Sequence, residues 1–375
     1  MSSDEFAPIG YEDKTEATDI NSSVDLGEAA GDGAAGGAGG AADGAGSAAA
    51  AASGSGTGAA AGAGHWYDVP ECVATLVGHQ NDVEDALCIV EDGTIVTACM
   101  DRSVGFWLRG IDGGYTNPII VPTAKGATCL AWDAARRWLL VGLDSGAVQV
   151  FLISPDYVQS SELKVIQAHS ARVTSIVYHE RKDCIISVGR DKKISVYDNN
   201  ENALFSLRLS NAWQSTLAFD AVNNRAFVGD YGQKVHVVDV SDMVPRLVRT
   251  LHGHKGSLRA LHYDPKTQFL FSGSFDKTVA VWDVGAPQKE ASAKVVGRLV
   301  GHKDKVKAVV YASGFSRALS AGDDCRILVW DTKAGELAHA VLAHRKTISR
   351  LVWVASEKRL ISCSHDKTVK VWQFE

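Results

Sequence analysis

A fixed spacing of four residue types recurs five times along the chain. In each copy a histidine stands 28 residues before an aromatic residue, an aspartate lies six residues before that aromatic residue, and a serine or threonine lies four residues before the aspartate. Residue types that keep their spacing over five copies are typical of an internal repeat. The sets, in the order His, Ser or Thr, Asp and aromatic residue, are His79, Thr97, Asp101 and Trp107; His169, Ser187, Asp191 and Tyr197; His254, Ser272, Asp276 and Trp282; His302, Ser320, Asp324 and Trp330; and His344, Ser362, Asp366 and Trp372.

Two further repeats keep the period but lose the marker residues. When Phe151 and Val238 are taken as the equivalents of the aromatic residue, successive markers lie 41 to 48 residues apart over seven repeats. This is the period of propeller blades, each of which is a four-stranded sheet. The second and fourth repeats lack the histidine, the hydroxyl residue and the tryptophan together. We therefore expect these two blades to be held by apolar packing alone.

The residues around each marker have the pattern of antiparallel strands. Residues 268–274 and 279–283 are rich in β-branched and aromatic residues with a period of two, and a short polar turn separates them. Seven such repeats predict an all-β fold, a seven-bladed propeller. The strand at residues 72–77 is left over at the start, and the last repeat lacks one strand. We expect the first strand to complete the last blade, which would close the ring and remove the open sheet edges.

Residues 1–65 differ in composition from the rest of the chain. They contain ten acidic residues and one lysine, whereas the whole chain has a net charge of −6, so residues 66–375 carry about +3. Between Gly27 and Gly64 all but seven of 38 residues are Ala or Gly, a composition with almost no apolar side chain to offset the entropy of ordering. We predict a disordered acidic tail over 1–65, with a partner-binding or spacer arm as the alternative, and the propeller over 66–375.

The sequence favours a soluble protein inside the cell. Its first residues lack the basic and apolar regions of a signal peptide, and no run of about 18 apolar residues occurs. The cysteines are odd in number and contain no Cys-x-x-Cys pair, which favours free thiols in a reducing compartment. The seven cysteines are Cys72, Cys88, Cys99, Cys129, Cys184, Cys325 and Cys363.

The ends of the repeats resemble the WD-repeat family. Residues 253–283 and 301–331 both begin with Gly-His and end with Trp-Asp, the pattern of that family. The resemblance implies a seven-bladed WD-repeat propeller in which each set of four marker residues forms a hydrogen-bonded tetrad that stiffens its blade. In the third repeat, Tyr197 replaces the tryptophan, and we expect its hydroxyl not to reproduce the geometry of the indole N–H.

The marker residues also include the residue types of a hydrolase. Ser272, His254 and Asp276 are the types of a catalytic triad. Their recurrence in five copies indicates a structural device, because an enzyme needs one site. The sequence has no phosphate-binding loop, His-Glu-x-x-His pattern, dinucleotide fingerprint or Cys/His metal cluster. We therefore expect no catalysis, no cofactor and no bound metal.

Charge gathers in the segments that follow each marker histidine, which in WD-repeat propellers lie on one rim. The first repeat supplies Asp82, Glu84 and Asp85 there, and the later repeats supply basic residues. A basic arc facing an acidic sector is suited to steer acidic partner proteins; an ordinary solvated loop surface is the alternative. The basic residues of this predicted partner-binding rim are Arg172, Lys255, Arg259, Lys303, Lys305, Lys307, Arg345, Lys346 and Arg350.

Several stretches outside the repeat consensus are similar to the propeller of WD-repeat and FYVE-domain-containing proteins, adaptors of endosomal membranes. They include residues 101–108, 142–146 and 167–174. In that family a zinc-binding FYVE finger, which reads a phosphoinositide head group, interrupts the propeller between the last two repeats. Here Asp331 and His344 are separated by 12 residues without a cysteine, so we expect no zinc finger at this point and do not carry over phosphoinositide binding.

The sequence predicts a cytoplasmic, non-catalytic scaffold or adaptor that binds other proteins within a multiprotein complex. A role in vesicle trafficking or signalling and a peripheral endosomal association stay open. The alternative is a propeller that binds RNA or anionic phospholipid through the same basic arc, with an affinity that falls steeply with salt. Few aromatic residues are interleaved with the basic ones along the sequence, which disfavours stacking on single-stranded nucleic acid.

Overall fold

The computed structural model describes residues 69–285 and 294–374. The predicted tail, residues 1–65, lies outside the described residues, so the domain boundary after residue 65 stays a prediction. The described chain forms seven antiparallel four-stranded sheets, which confirms the predicted seven-bladed propeller. Two single-turn 3₁₀ helices, Glu180–Lys182 and Ser313–Phe315, occur between strands.

Each blade is built from strands that are consecutive in the chain, except the last. Blade 1 contains β2 (Val83–Ile89), β3 (Thr94–Cys99), β4 (Ser103–Trp107) and β5 (Ile119–Pro122); blade 2 contains β6 (Ala127–Asp133), β7 (Trp138–Leu143), β8 (Val148–Ile153) and β9 (Ser160–Ile166); blade 3 contains β10 (Val173–His179), β11 (Cys184–Gly189), β12 (Lys193–Asp198) and β13 (Ala203–Arg208); blade 4 contains β14 (Gln214–Asp220), β15 (Arg225–Asp230), β16 (Lys234–Asp239) and β17 (Arg246–His252). Blade 5 contains β18 (Leu258–Asp264), β19 (Phe269–Ser274), β20 (Thr278–Asp283) and β21 (Lys294–Val300); blade 6 contains β22 (Val306–Ala312), β23 (Arg317–Gly322), β24 (Arg326–Asp331) and β25 (Glu336–Leu342); blade 7 contains β26 (Ile348–Val354), β27 (Arg359–Ser364), β28 (Thr368–Gln373) and β1 (Glu71–Val77).

The first strand closes the ring. β1 pairs antiparallel with β28, from Glu71 opposite Gln373 to Val77 opposite Thr368. Leu76 of β1 packs into an apolar cluster that joins blades 7 and 1. The prediction that residues 72–77 complete the last blade is therefore confirmed, and the two ends of the propeller are held in one sheet.

The core lies between the blades. Seven apolar clusters fill the interfaces between neighbouring blades, one at each interface of the ring. Strands in the middle of a blade are buried on both faces, as in β3, whereas the outermost strand β9 has five exposed residues among seven. Burial on both faces explains why the middle strands read as continuous apolar runs.

The first strand of each blade lies innermost and carries a β-bulge. These strands contact the first strands of both neighbouring blades and so form a closed inner ring. In every blade the pairing register shifts between the first and third residue of this strand, which leaves the second residue as the extra residue of the bulge. The seven bulge residues line one cavity at the common axis of the blades: Glu84, Thr128, Thr174, Ser215, Arg259, Lys307 and Ser349.

The expectation that blades 2 and 4 are held by apolar packing alone is wrong. In blade 4 the buried His236 places Nε2 2.9 Å from Asp230 and Nδ1 3.1 Å from the Thr250 hydroxyl, which links β15, β16 and β17. In blade 2 the buried Gln149 side chain donates to Glu162 and accepts from the backbone of Ala124. These networks use other positions than the repeated markers, so a search for the fixed spacing does not find them.

All seven cysteines are free thiols. Cys99, Cys129, Cys184 and Cys363 are buried, Cys88 and Cys325 are half-buried, and Cys72 is exposed. Burial raises the pKa of the Cys129 thiol to about 12, so this thiol stays protonated and packs as a small apolar group.

Candidate binding face around the channel mouth

The structure brings each set of marker residues together. In all five sets, the histidine Nδ1 lies 2.7–3.1 Å from the aspartate, and Nε2 lies 2.7–2.9 Å from the serine or threonine hydroxyl. In blades 1, 5, 6 and 7 the tryptophan Nε1 donates to that same hydroxyl at 2.7–3.0 Å. A neutral histidine that donates from Nδ1 and accepts at Nε2 satisfies every member of such a network.

Blade 3 lacks the fourth member of the tetrad. The Tyr197 hydroxyl donates to Asn202 Oδ1 at 2.9 Å and does not reach Ser187. The phenol oxygen lies further along its ring axis than an indole nitrogen, and it turns outward to the loop. Tyr197 is therefore a half-buried packing residue, and the Ser187 hydroxyl is shared with His169 alone.

The triad-like geometry of the tetrads has no access to substrate. Ser272 Oγ lies 2.7 Å from His254 Nε2, but it also accepts from Trp282 at 2.7 Å. Ser272 is fully buried. Since attack needs an exposed oxygen beside a binding cleft, the arrangement is suited to stiffening the sheet rather than to nucleophilic catalysis.

One group of metal-ligand residue types lies in blade 1. His79, Cys99 and Asp101 place their ligand atoms within 4.8 Å of one another. Both ring nitrogens of His79 are already hydrogen-bonded, to Asp101 and Thr97. Burial raises the pKa of Cys99 to about 12, so the thiolate that a metal requires is disfavoured. The geometry is that of a tetrad with a neighbouring thiol.

The tetrads define one face of the propeller, which we call the tetrad face. It carries the loops before each innermost strand and the turns between the second and third strands. The residue after each tetrad histidine donates its backbone N–H to the tetrad aspartate. The backbone of that residue therefore lies at the tetrad face. The exposed cations of the predicted rim lie here: Lys255, Lys303, Lys305, Arg345 and Lys346.

The other four predicted rim residues lie deeper, at the mouth of the central channel. Arg172, Arg259, Lys307 and Arg350 are half-buried and line a cavity of about 40 Å³ together with Glu84 and Asp85. The acidic sector expected opposite the basic arc is in contact with it. Arg172 lies 2.9 Å from Glu84, and Arg350 lies 3.0 Å from Asp85. Lys307 is paired with Asp323 at 2.7 Å.

These ion pairs neutralise most of the charge at the channel mouth. Burial alone would raise the pKa of Glu84, but Arg172 outweighs it and the pKa is lowered. Burial dominates at Asp85, whose pKa is raised although Arg350 opposes the shift. Arg259 is the exception, because it forms no ion pair with any residue in the described ranges, and it contributes only a longer-range attraction to Glu84.

The remaining bulge residues bond blade to blade. Thr128, Thr174, Ser215 and Ser349 each donate to a carbonyl of their own blade and to a carbonyl of the innermost strand of the next blade. The bond from Ser349 to Val83, at 2.6 Å, crosses from blade 7 to blade 1. The seven bulge residues thus comprise four hydroxyl residues that bond neighbouring blades and three charged residues. The charged residues are the ones that could bind a ligand in the channel.

Sequence reasoning missed three aromatic residues on the tetrad face, which we call the aromatic arc: Trp213, Tyr231 and Phe275. The rings of Trp213 and Tyr231 lie 5.7 Å apart, and those of Tyr231 and Phe275 lie 6.0 Å apart. Tyr231 and Phe275 occupy equivalent turns in blades 4 and 5, where each donates its backbone N–H to the loop before the innermost strand. Alignment of the degenerate fourth repeat on the others would have assigned Tyr231 and Phe275 to the same turn of successive repeats, but it gives no signal for Trp213 or for the contact of the rings.

The comparisons with known proteins agree with this geometry. Five segments match the family model described as WD domain, G-beta repeat: residues 70–107, 160–198, 245–283, 293–331 and 335–373. Together they cover more than half of the chain. The chain belongs to the WD-repeat family. The segments end at the third strands of blades 1, 3, 5, 6 and 7, the blades that carry the repeated marker residues.

WD-repeat relatives are found among curated proteins. WD repeat and FYVE domain-containing protein 1 of Bos taurus is 32% identical over 216 residues, which are 58% of this chain and 53% of that protein. WD repeat and FYVE domain-containing protein 2 of Homo sapiens is 30% identical over 216 residues, 58% of this chain and 54% of that protein. The chain therefore spans about half the length of the curated relatives it matches.

A solved WD-repeat structure shares the fold. The crystal structure of the WD40 β-propeller domain of Doa1 superimposes with a TM-score of 0.70 at 18% identity and covers 82% of this chain and 97% of that chain. WD-repeat propellers are in general scaffolds for protein interactions. Between Asp331 and His344, where the sequence predicts no zinc finger, β25 follows β24 through a turn of four residues, 332–335. Within the described ranges, no helix has the length and apolar character of a membrane span.

Proposed function

We propose that this WD-repeat propeller is a non-catalytic scaffold that binds acidic partner proteins through the exposed rim of blades 5 to 7. The observation that carries the proposal is a difference in pairing among the nine predicted rim cations. Lys255, Lys303, Lys305, Arg345 and Lys346 are exposed, and none of the five forms an ion pair within the described part of the chain. Arg172, Lys307 and Arg350 are bound to carboxylates of the propeller itself.

Unpaired cations on adjacent blades fit a partner with an acidic surface. Their side chains have no ion pair to break, so their charge can accelerate encounter with an acidic protein and disfavour basic ones. Exposed pairs contribute little each, so the affinity must also come from a buried contact near the rim. A location in the cytoplasm and membership of a multiprotein complex are part of the proposal.

The names of the relatives add a cellular role to the proposal. Their printed names combine WD repeats with a FYVE domain. An adaptor role in vesicle trafficking or signalling, with peripheral association to endosomes through partners, follows from that likeness and rests on it alone.

The test reverses three exposed rim lysines. Lys255→Glu, Lys303→Glu and Lys346→Glu are combined, because none of these side chains has a carboxylate partner to lose among the described residues. The control combines Lys266→Glu, Lys333→Glu and Arg181→Glu, which make the same change of charge at exposed turns on the opposite face. Both variants and the wild-type chain are used for affinity purification from native cells with mass spectrometry.

We expect the rim variant to lose a defined set of acidic partners that the control retains, with an unchanged thermal midpoint. Identical partners for both variants would place the binding surface elsewhere.

A second candidate function uses the same cations. Five unpaired basic side chains are also what a phosphate-rich polymer or an anionic membrane would neutralise. Gel shift with single-stranded RNA and flotation with phosphatidylserine vesicles at physiological salt test this directly. Binding that is lost in the rim variant and retained in the control would favour this candidate over the protein scaffold.

A further inference from the structure

Two cations without an ion-pair partner among the described residues lie at the ends of the aromatic arc. Arg190 lies over the Trp213 ring at 5.4 Å, and Lys305 lies over the Phe275 ring at 5.1 Å. Neither cation forms an ion pair with a described residue, and the Arg190 Nε is buried without a hydrogen-bond acceptor. A buried donor without an acceptor is costly, so it is usually satisfied by a ligand or by water.

Hydrogen bonds join the arc to the chain segment that carries Arg259, the one unpaired arginine of the channel mouth. Phe275 N–H donates to the Ser257 carbonyl at 2.8 Å, and the Ser257 hydroxyl donates to the Tyr231 carbonyl at 2.9 Å. Arg259 follows Ser257 by two residues on the same chain segment, a step of about 7 Å in an extended strand. Chain connectivity and these hydrogen bonds therefore hold the arc close to Arg259, which lines the cavity at the axis.

The surface is apolar at its centre. Trp213 is 47% exposed, whereas Tyr231 and Phe275 are half-buried. A large exposed aromatic residue beside unpaired cations is the composition of an interface hot spot. In the five other blades, the positions equivalent to Tyr231 and Phe275 hold Met100, Asp144, Arg190, Asp323 and His365.

The geometry disfavours two other kinds of ligand. A cationic ligand such as a methylated lysine would be repelled, because cations already occupy the ring faces of Trp213 and Phe275. Successive nucleic-acid bases stack on open aromatic ring faces, whereas edge-to-face contacts between aromatic side chains cover part of those faces. Here successive rings meet at 75° and 81°.

We propose that the aromatic arc and Arg259 bind a short acidic peptide segment with one large apolar side chain. The apolar side chain packs on Trp213, and the carboxylates on either side of it pair with Lys305 and Arg259. The peptide carboxylates also bring an acceptor to the Arg190 guanidinium. This inference rests on the proposed scaffold function and names the partner chemistry at its centre.

A random 12-residue phage-display library, selected on the full chain, tests the inference. The enriched peptide is then titrated by fluorescence anisotropy against the wild type, Trp213→Ala, Trp213→Phe and Arg259→Gln. Val222→Ala, at a 64% exposed position on the opposite face, is the matched control. Trp213→Phe keeps an aromatic contact, and circular dichroism verifies that each variant is folded.

We expect enriched peptides to contain a large apolar residue flanked by Asp or Glu. Their affinity should fall about 30-fold in Trp213→Ala and at least about tenfold in Arg259→Gln. Trp213→Phe should recover most of the loss, and Val222→Ala should bind as the wild type.

Three results would overturn the inference, and they separate it from the scaffold proposal. If the binding of acidic peptides depends on Lys255, Lys303 and Lys346 but not on Trp213, the scaffold proposal stands and the arc is not the binding site. A library that yields no acidic sequence would remove the arc as a peptide site, and purification with the rim variant would still decide the scaffold proposal. Binding of a 12-nucleotide oligouridylate that is lost in Trp213→Ala, without an enriched acidic peptide, would reassign the arc to nucleic acid.

Discussion

At the scale of the residue, burial and hydrogen bonds together set the protonation of the tetrad side chains. The tetrad aspartates would be raised in pKa by burial alone, but hydrogen bonds outweigh it. The pKa of Asp366 falls to about 2, because Thr368, the Arg345 backbone and His344 all donate to its carboxylate. The same burial lowers the pKa of His344 and keeps its ring neutral. The tetrad of blade 7 therefore pairs an anionic carboxylate with a neutral imidazole, and it stiffens the blade without exposing reactive groups.

The indole hydrogen bond of a tetrad can be measured against a blade that lacks it. In a double-mutant cycle, Trp282→Phe and Ser272→Ala should show a coupling free energy of about 1 kcal/mol, since Trp282 Nε1 donates to Ser272 Oγ at 2.7 Å. The matched cycle in blade 3, Tyr197→Phe with Ser187→Ala, should show a coupling close to zero. Urea unfolding at pH 7 gives both values. Equal coupling in the two blades would contradict the assignment of Tyr197 as a packing residue.

His262 should make the propeller sensitive to mild acid. Burial lowers the pKa of this histidine to about 4, below the value of about 6.5 expected in the unfolded chain. Between pH 6.5 and 4, His262 is therefore protonated in the unfolded state and neutral in the folded state. The free energy of unfolding should fall with decreasing pH in this window, by at most about 1.4 kcal/mol per pH unit from this group. His262→Gln should have a smaller slope in urea unfolding between pH 7 and 4.5, and an unchanged slope would sink the prediction.

At the scale of the element, the blades reach similar order through different polar networks. Blades 1, 5, 6 and 7 use the full tetrad, and blade 3 uses three of its members. Blade 4 instead holds its outer strands through Asp230, His236 and Thr250, with Ser210 donating to Asp230 at 2.9 Å. Thin sheets between large apolar interfaces gain rigidity from such satisfied networks, wherever along the strands they lie.

The network of blade 4 should matter as much as a tetrad. Asp230→Ala leaves His236 and the Ser210 hydroxyl without their acceptor in a buried site, so it should cost about 1–3 kcal/mol in the free energy of unfolding. Asp276→Ala in blade 5 should cost a similar amount. Asp242→Ala, which removes an exposed ion pair of the same blade, should cost less than about 1 kcal/mol. If Asp230→Ala behaved like Asp242→Ala in urea unfolding, blade 4 would be held by apolar packing after all.

At the scale of the whole molecule, the ring depends on one strand from the other end of the chain. β1 covers the edge of β28, and without it blade 7 would expose unpaired backbone groups. The seven interfacial apolar clusters then act around a closed circle, and hydroxyl bonds reinforce four of the seven interfaces.

Removal of β1 should open the ring. A chain that begins at residue 78 should unfold at a lower temperature than one that begins at residue 69, and it should associate through the free edge of β28. Circular dichroism and size-exclusion chromatography measure the two effects. A synthetic peptide of residues 69–77 should restore the midpoint when it is added in excess, because it supplies the missing strand. Equal midpoints for the two chains would show that closure contributes little.

The sequence by itself determined the number of blades, the composition of the five tetrad sets and the closing role of residues 72–77. These properties follow from local periodicity, since strand patterns, turn residues and marker spacings recur within about 45 residues. Only the tertiary structure decided which rim cations are available. Arg350 meets Asp85 because the closed ring brings blade 7 next to blade 1, and Arg172 meets Glu84 because the residues of blades 1 and 3 converge at the channel mouth. The aromatic arc likewise joins Trp213, Tyr231 and Phe275 from two blades, and no spacing within one repeat could predict that contact.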